Sequence, residues 1–180
     1  MRFRRCVAPV CCTMIRIGIL TVSDRSTRGE REDLSGPAVA VALTEALPGA
    51  KITERATVPD ERTEIAAVLR RWADDERLDL IITTGGTGFA PRDVTPEATL
   101  AVIDREAPGL AEAMRAASLS LTPHGMLSRA VAGTRGRALI VNLPGSPKGA
   151  VENLRTVIPV LPHAIELLQE APEAERHHGI

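Results

Sequence analysis

Gly85, Gly86, Thr87 and Gly88 directly follow the apolar stretch Leu78–Thr84, and Asp93 stands five positions beyond Gly88. Glycines permit positive φ and let backbone N–H groups approach an anion, so such a run at a strand end can cradle a phosphate. It can equally be a tight turn without a ligand. Two stricter readings fail. A Walker-type loop needs G-x-x-x-x-G-K-[ST], which occurs nowhere, and a dinucleotide G-x-G-x-x-G would put its last glycine at Pro91.

A second set is Pro144, Gly145, Ser146, Pro147, Lys148 and Gly149, a rigid turn that displays one hydroxyl and one cation. Lysine suits phosphate as a point charge; the plain alternative is a capped strand-to-helix turn with a solvated lysine. A third is Ser23–Asp33, where Asp24 and Asp33 mix with Arg25, Arg28 and Arg31. It reads either as a site loop or as a solvated loop of mixed charge. Asp93 just precedes the helix start Thr95–Pro96. It is either a charge at a helix N-terminus, worth about 0.3–1 kcal/mol against the dipole, or a carboxylate that holds a metal ion or water beside a phosphate loop. Asp60 has the same two readings, as the N-cap of the next helix or as a site carboxylate.

Nucleophilic catalysis has no candidate, because no cysteine neighbours a histidine and no G-x-S-x-G occurs. His177 and His178 belong to the polar tail, and His163 reads as structural. His124 is the one histidine left to test.

These loops need elements to hold them. Ile15–Val22 is a short β-branched run and reads as a buried first strand. Ser35–Pro37 opens a helix through about Leu47, with Pro37 suited to its first turn. Lys51–Val58 is a second strand. Ile65, Val68, Leu69 and Trp72 then fall at i, i+3, i+4 and i+7, an amphipathic helix. Leu78–Thr84 is a third strand. Thr95 and Pro96, as N-cap and first position, start a helix expected to end near Glu106. Another helix runs from Leu110 to about Leu119, and residues 121–137 read as a loop with at most one helical turn. Arg137–Leu143 is the fourth strand, and one or two helices broken at Pro159 and Pro162 close the fold.

The alternation predicts a mostly parallel central sheet flanked by helices on both faces. Ligands of such sheets bind outside the carboxyl ends of the strands. Ser23–Asp33, the GGTG run and the PGSPKG turn follow the first, third and fourth strands, so all three converge on that edge.

Composition narrows the classes. With 22 basic and 23 acidic residues the net charge is −1, and aromatics amount to two Phe, one Trp and no Tyr. A nucleic-acid binder should show a basic excess and stacking platforms, so none is expected. Cys6, Cys11 and Cys12 cluster at the start in odd number, which argues against a disulfide framework, and no partner follows at zinc spacing. Residues 1–14 read as a disordered leader, with Met14 as an alternative start and an apolar run too short and too broken by Pro9 for a signal peptide. No stretch approaches the roughly 20 apolar residues of a membrane span. The expected location is cytoplasmic, with one domain over 15–169 and a frayed tail at 170–180.

Taken in order, VSDR (Val22–Arg25) with Asp33 and SGP (Ser35–Pro37), VPDE (Val58–Glu61), TTGGTG-x-x-x-RDVTPEAT (Thr83–Thr99) and LPGSPKG (Leu143–Gly149) resemble the molybdopterin adenylyltransferase family and its MoaB-type relatives. PGLAEAMR (Pro108–Arg115) and LSRAVAG (Leu127–Gly133) are similar to family segments too, and the resemblance runs from about Ile15 to Leu168. It implies a three-layer α/β fold in a homotrimer or hexamer. It also implies transfer of AMP from Mg-ATP to the terminal phosphate of molybdopterin, with release of pyrophosphate. Carried over by motif, Asp60 and Asp93 are the catalytic carboxylates and the Mg²⁺ ligands. Ser23, Asp24, Gly85, Gly86, Thr87, Gly88, Pro144, Gly145, Ser146, Pro147 and Lys148 hold ATP and molybdopterin. The resemblance implies one alternative, a MoaB-type protein that binds molybdopterin with little or no adenylyl transfer.

Overall fold

The computed structural model describes residues 14–170; the readings for Cys6, Cys11, Cys12, His177 and His178 lie outside them. Six strands form one sheet: β1 (Ile15–Val22), β2 (Ala50–Val58), β3 (Leu80–Thr84), β4 (Arg105–Glu106), β5 (Ala132–Arg135) and β6 (Ala138–Leu143). Their order is β2-β1-β3-β6-β5-β4. The first three pairings of that order are parallel. The last two, β6 with β5 and β5 with β4, are antiparallel.

Helices cover both faces, as the alternation predicts. Alternate residues of the central strands point to opposite sides. Ile17, Ile19, Leu80, Ile82, Leu139 and Val141 pack with α2 (Ser35–Ala46), α5 (Pro108–Leu121), α6 (Pro147–Val157) and α7 (Leu161–Leu168). Leu20, Val22, Ile81 and Ile140 pack under α3 (Arg62–Arg70) and α4 (Thr95–Leu100). The expected amphipathic stripe of α3 is there, with Ile65 and Leu69 fully buried. Trp72 continues it on a single wider turn, Arg71–Asp75, and is fully buried as well. Pro159 falls in a short 3-10 turn between α6 and α7, and Pro162 in the first turn of α7.

Two expectations need correction. The helix that starts at Thr95 ends at Leu100, not near Glu106. The Asp104 N–H instead donates to Thr134 O at 2.7 Å, and Arg105 and Glu106 pair with β5. The segment read as a loop with one helical turn holds a 3-10 turn at Pro123–Leu127 and also β5. β5 is only AGTR, with no apolar run to mark it, and its pairing to β6 makes it a strand.

Asn142 ties the layers together from a fully buried position on β6. Its amide donates to Thr83 Oγ1 on β3 and Thr99 Oγ1 on α4, both at 2.9 Å, and its Oδ1 accepts the Val131 N–H at 3.3 Å. Groups stripped of partners in a dry interior cost their desolvation. Asn142→Ala should therefore lower the free energy of unfolding by about 2–3 kcal/mol. Urea titration of the two proteins measures it, and an unchanged midpoint would refute the role.

Candidate functional site

The loops after β1, β3 and β6 meet at the carboxyl edge of the sheet, as expected, and the turn after β2 joins them. They enclose an open cleft of about 470 Å³. Of the residues singled out from sequence, Ser23, Asp24, Asp60, Gly85, Gly86, Asp93, Gly145, Ser146 and Pro147 line it, with Arg25, Arg28, Arg31 and Asp33 of the first loop. Pro144 sits behind, its carbonyl accepting from Thr84 Oγ1 at 2.7 Å. Thr87 and Gly88 turn away from the cleft toward Arg129. The Lys148 ammonium is in solvent, with a side chain 88% exposed, 3.9 Å from Glu152. His124 is exposed on the 3-10 turn beside Thr122 and is not among the lining residues.

Local sequence explains the framing. Ser23 caps the four-residue helix α1 (Asp24–Thr27), its hydroxyl accepting the Ser26 N–H at 3.2 Å. Ser146 caps α6 in the same way through the Gly149 N–H. Asp33 anchors the start of α2, bonded to Thr21 Oγ1 at 2.6 Å, Ser35 Oγ at 3.1 Å and the Gly36 N–H at 2.9 Å. Burial works against ionisation there, and these three donors still hold its carboxyl below the usual aspartate range. Asp33 is thus not merely solvated, and it also lines the cleft.

The reading of Asp60 as a helix N-cap is corrected, because Glu61 precedes α3 and no side chain caps it. Asp60 turns the other way. Its Oδ2 accepts the Asp24 N–H at 2.8 Å, while Asp24 Oδ1 accepts the Asp60 N–H at 3.1 Å. Thr95 is likewise not an N-cap; its hydroxyl donates to Gly85 O at 2.9 Å and locks the glycine loop onto α4. Asp93 bends back within its own turn, Oδ2 accepting the Ala90 N–H at 2.9 Å.

The glycines make room for the carboxylates. A Cβ on Gly86 would stand 2.9 Å from Asp60 Oδ1, and one on Gly88 would stand 2.8 Å from Asp93 Oδ2. The loop therefore lets two acidic groups press against bare backbone. Burial pushes the Asp60 carboxyl above its usual range, and the charges of Asp24 and Asp93 add to it. Asp24 is shifted down, chiefly by Arg92, which donates to both its oxygens at 3.0 Å. Arg92 also reaches Glu61 Oε1 at 2.7 Å, so one guanidinium bridges three loops.

Arg92, Arg129 and Glu61 were not singled out as site residues from sequence. Each looks there like one more surface charge, and their partners lie 31 or more residues away. Their only signal was membership of the segments VPDE, RDVTPEAT and LSRAVAG.

A group whose pKa is raised by folding stabilises the protein below its unfolded pKa and loses that contribution as pH rises through the folded one. Ionised Asp60 therefore works against the fold at neutral pH. Asp60→Asn keeps an oxygen for the Asp24 N–H and removes the charge, so it should melt at a higher temperature than wild type at pH 7. The gap should open as pH rises above about 4. Calorimetry between about pH 4 and 8 tests this, and a lower melting temperature for the variant at pH 7 would contradict it.

Among the described residues no group of three or more His, Cys, Asp or Glu is arranged to hold a metal. Mg²⁺ asks for less, because it binds through one or two carboxylates plus substrate phosphates. Asp60 and Asp93 fit that demand: both are hard oxygen donors in one cleft, and the Asp93 charge acts on Asp60. No helix among the described residues is long and apolar enough to cross a membrane.

A family model described as a probable molybdopterin binding domain matches residues 18–163. A molybdopterin adenylyltransferase of Helicobacter pylori strain J99 is 45% identical over 154 residues, 86% of this chain and 88% of the relative. The molybdopterin adenylyltransferase of Escherichia coli K12 is 47% identical over 143 residues, 79% and 73% of the two chains. Among solved structures, the molybdopterin biosynthesis enzyme MoaB of Thermus thermophilus superposes with a TM-score of 0.82. It is 56% identical and covers 88% of this chain and 99% of its own.

Proposed function

The chain belongs to the molybdopterin-binding domain family, and from that membership we propose that it transfers AMP from Mg-ATP to the terminal phosphate of molybdopterin in molybdenum-cofactor biosynthesis. A terminal phosphate oxygen of the pterin attacks the α-phosphorus of ATP. The bond from that phosphorus to the bridging oxygen breaks, and pyrophosphate leaves with the electron pair.

The observation that carries the reading is the placement of Asp60 and Asp93 against the glycine loop of an open cleft. Carboxylates repel a polyphosphate unless a cation stands between them, so a site for anions alone would not gather them. Asp60 and Asp93 would hold Mg²⁺ against the substrate phosphates, where it would neutralise their charge. The remaining work is alignment. An ionised phosphate needs no strong general base, which agrees with the lack of His and Cys among the lining residues. The Ser23 and Ser146 turns and the backbone at Gly85, Gly86 and Gly145 border the space where phosphates and pterin would lie. Holding two reactants in line contributes much of the rate enhancement in such transfers. Lys148, at the second position of α6, would reach the phosphates from solvent.

Assembly into a trimer or a dimer of trimers in the cytoplasm completes the proposal. The exposed Leu119 and Leu121 at the end of α5 support it, since apolar side chains in solvent invite a partner. Light scattering that gives a monomer at micromolar concentration would remove the trimer.

The reaction is tested by incubating purified protein with molybdopterin, ATP and Mg²⁺ and following AMP-bound pterin by chromatography. Magnesium-dependent product is expected. Tight pterin binding without product would move the chain to the MoaB-type reading, a binding protein without transfer.

A further inference from the structure

We infer that Arg129 is a positioning residue, which fixes the Asp93 carboxylate by gripping the two backbone carbonyls on either side of the Ala90–Asp93 turn. The inference rests on the proposed role of Asp93, and it explains how a carboxylate on a long loop is held in one place.

Asp93 lies on the connection between β3 and α4, whose glycines give it little stiffness of its own. Residues 90–93 close on themselves: the Asp93 N–H donates to Ala90 O at 2.8 Å, and Asp93 Oδ2 accepts the Ala90 N–H at 2.9 Å. Thr95 holds Gly85 and Gly86 to α4, and the two ends of the turn itself, at Gly88 and Asp93, need a tie of their own. Arg129, from the segment leading into β5, ties them. Its Nε donates to Gly88 O at 2.6 Å and its Nη2 donates to Asp93 O. Its Nη1 pairs with the Glu97 carboxylate on α4, and its own backbone N–H donates to Thr87 O at 2.9 Å.

One planar guanidinium thus uses three separate nitrogens on three partners. Only arginine offers that fork; a lysine ammonium is a point charge on a flexible stem. The side chain is two-thirds buried, so water screens these bonds less than it screens surface pairs. Arg92 acts on the same loop through other partners, Asp24 and Glu61, and its side chain makes no hydrogen bond to the carbonyls that Arg129 holds.

Arg129→Lys keeps a countercharge for Glu97 and abandons the fork, while Glu97→Gln loosens the ion pair and keeps both carbonyl bonds. Hydrogen exchange of the ligand-free proteins, read by mass spectrometry, should show faster exchange across residues 88–93 in Arg129→Lys. Peptides from β3 and β6 should be unchanged. In the adenylylation assay the Mg²⁺ concentration giving half-maximal rate should rise by about tenfold or more, the usual effect of losing a group that orients a metal ligand. Glu97→Gln should resemble wild type in both measurements. Unchanged exchange at 88–93 in Arg129→Lys, an unchanged Mg²⁺ requirement, or the same changes in Glu97→Gln would each overturn the inference. If wild-type protein forms no product, the reading of the reaction fails by itself, and the exchange measurement still decides whether Arg129 clamps the loop.

Discussion

Asp93→Asn is expected to lower the rate of AMP transfer by about 10²–10³-fold in protein that is folded and melts within a few degrees of wild type. The substitution preserves shape, and the amide oxygen of asparagine can still accept the Ala90 N–H that Asp93 Oδ2 now accepts. What it removes is one negative charge facing the cleft. A neutral amide is a weak partner for Mg²⁺, and a loss of two to three decades corresponds to about 3–4 kcal/mol of transition-state stabilisation. The rate at saturating Mg²⁺ and ATP is the quantity to compare. Lys148→Ala belongs in the same experiment, because its ammonium stands in solvent and would have to move to meet a phosphate. Wild-type turnover in both folded variants would end the assignment of charge neutralisation to these residues.

The second large effect concerns Gly85→Ala. Gly85 has φ of +103°, and a Cβ built there would stand 2.2 Å from Val22 O at the end of β1. An alanine must both adopt a conformation that L-residues avoid and push two strand ends apart, at a combined cost of about 3–5 kcal/mol. For a chain of this size that is a fall in melting temperature of roughly 10–15 °C. Gly29→Ala is the matched comparison. Gly29 has φ of +72° with nothing within 4 Å of an added Cβ, so only the backbone cost of about 1–2 kcal/mol remains. Equal melting temperatures for the two variants would show that the contact with Val22 does not matter. Because Gly85 also packs against Gly145, with a Gly145 Cβ only 3.1 Å from its Cα, widening that point should shift the cleft's phosphate-facing walls.

The parallel centre was legible in the sequence because its strands are apolar on both faces. IRIGILTV and RALIVNL can hardly be anything else once helical stretches separate them. The antiparallel ribbon was not legible, since β5 is AGTR and β4 only two exposed residues. Their identity comes from bonds to distant partners. The same divide runs through the site. Asp60 and Asp93 stood out because each sits beside glycine or a helix start, which are local signals. Their restraint does not stand out, because Arg92 meets Asp24 across 68 residues and Arg129 meets Gly88 across 41. A single arginine in a polar segment carries no mark of such reach. The N-cap reading of Asp60 failed for a related reason: a cap is a local competitor, and the Asp24 N–H from another loop took the carboxylate instead.

Trp72 gives the molecule one further property. It is the single tryptophan, the chain has no tyrosine, and its ring is fully sealed between α3 and the sheet. Near-ultraviolet emission from this protein therefore originates in one place, under the layer that carries the Asp60 turn. Folded protein should emit at the short wavelengths of an indole kept from water, and denatured protein at longer ones. Trp72 is not among the cleft's lining residues, so a shift on adding ATP would report a change in the packing around the buried ring rather than contact with the ligand.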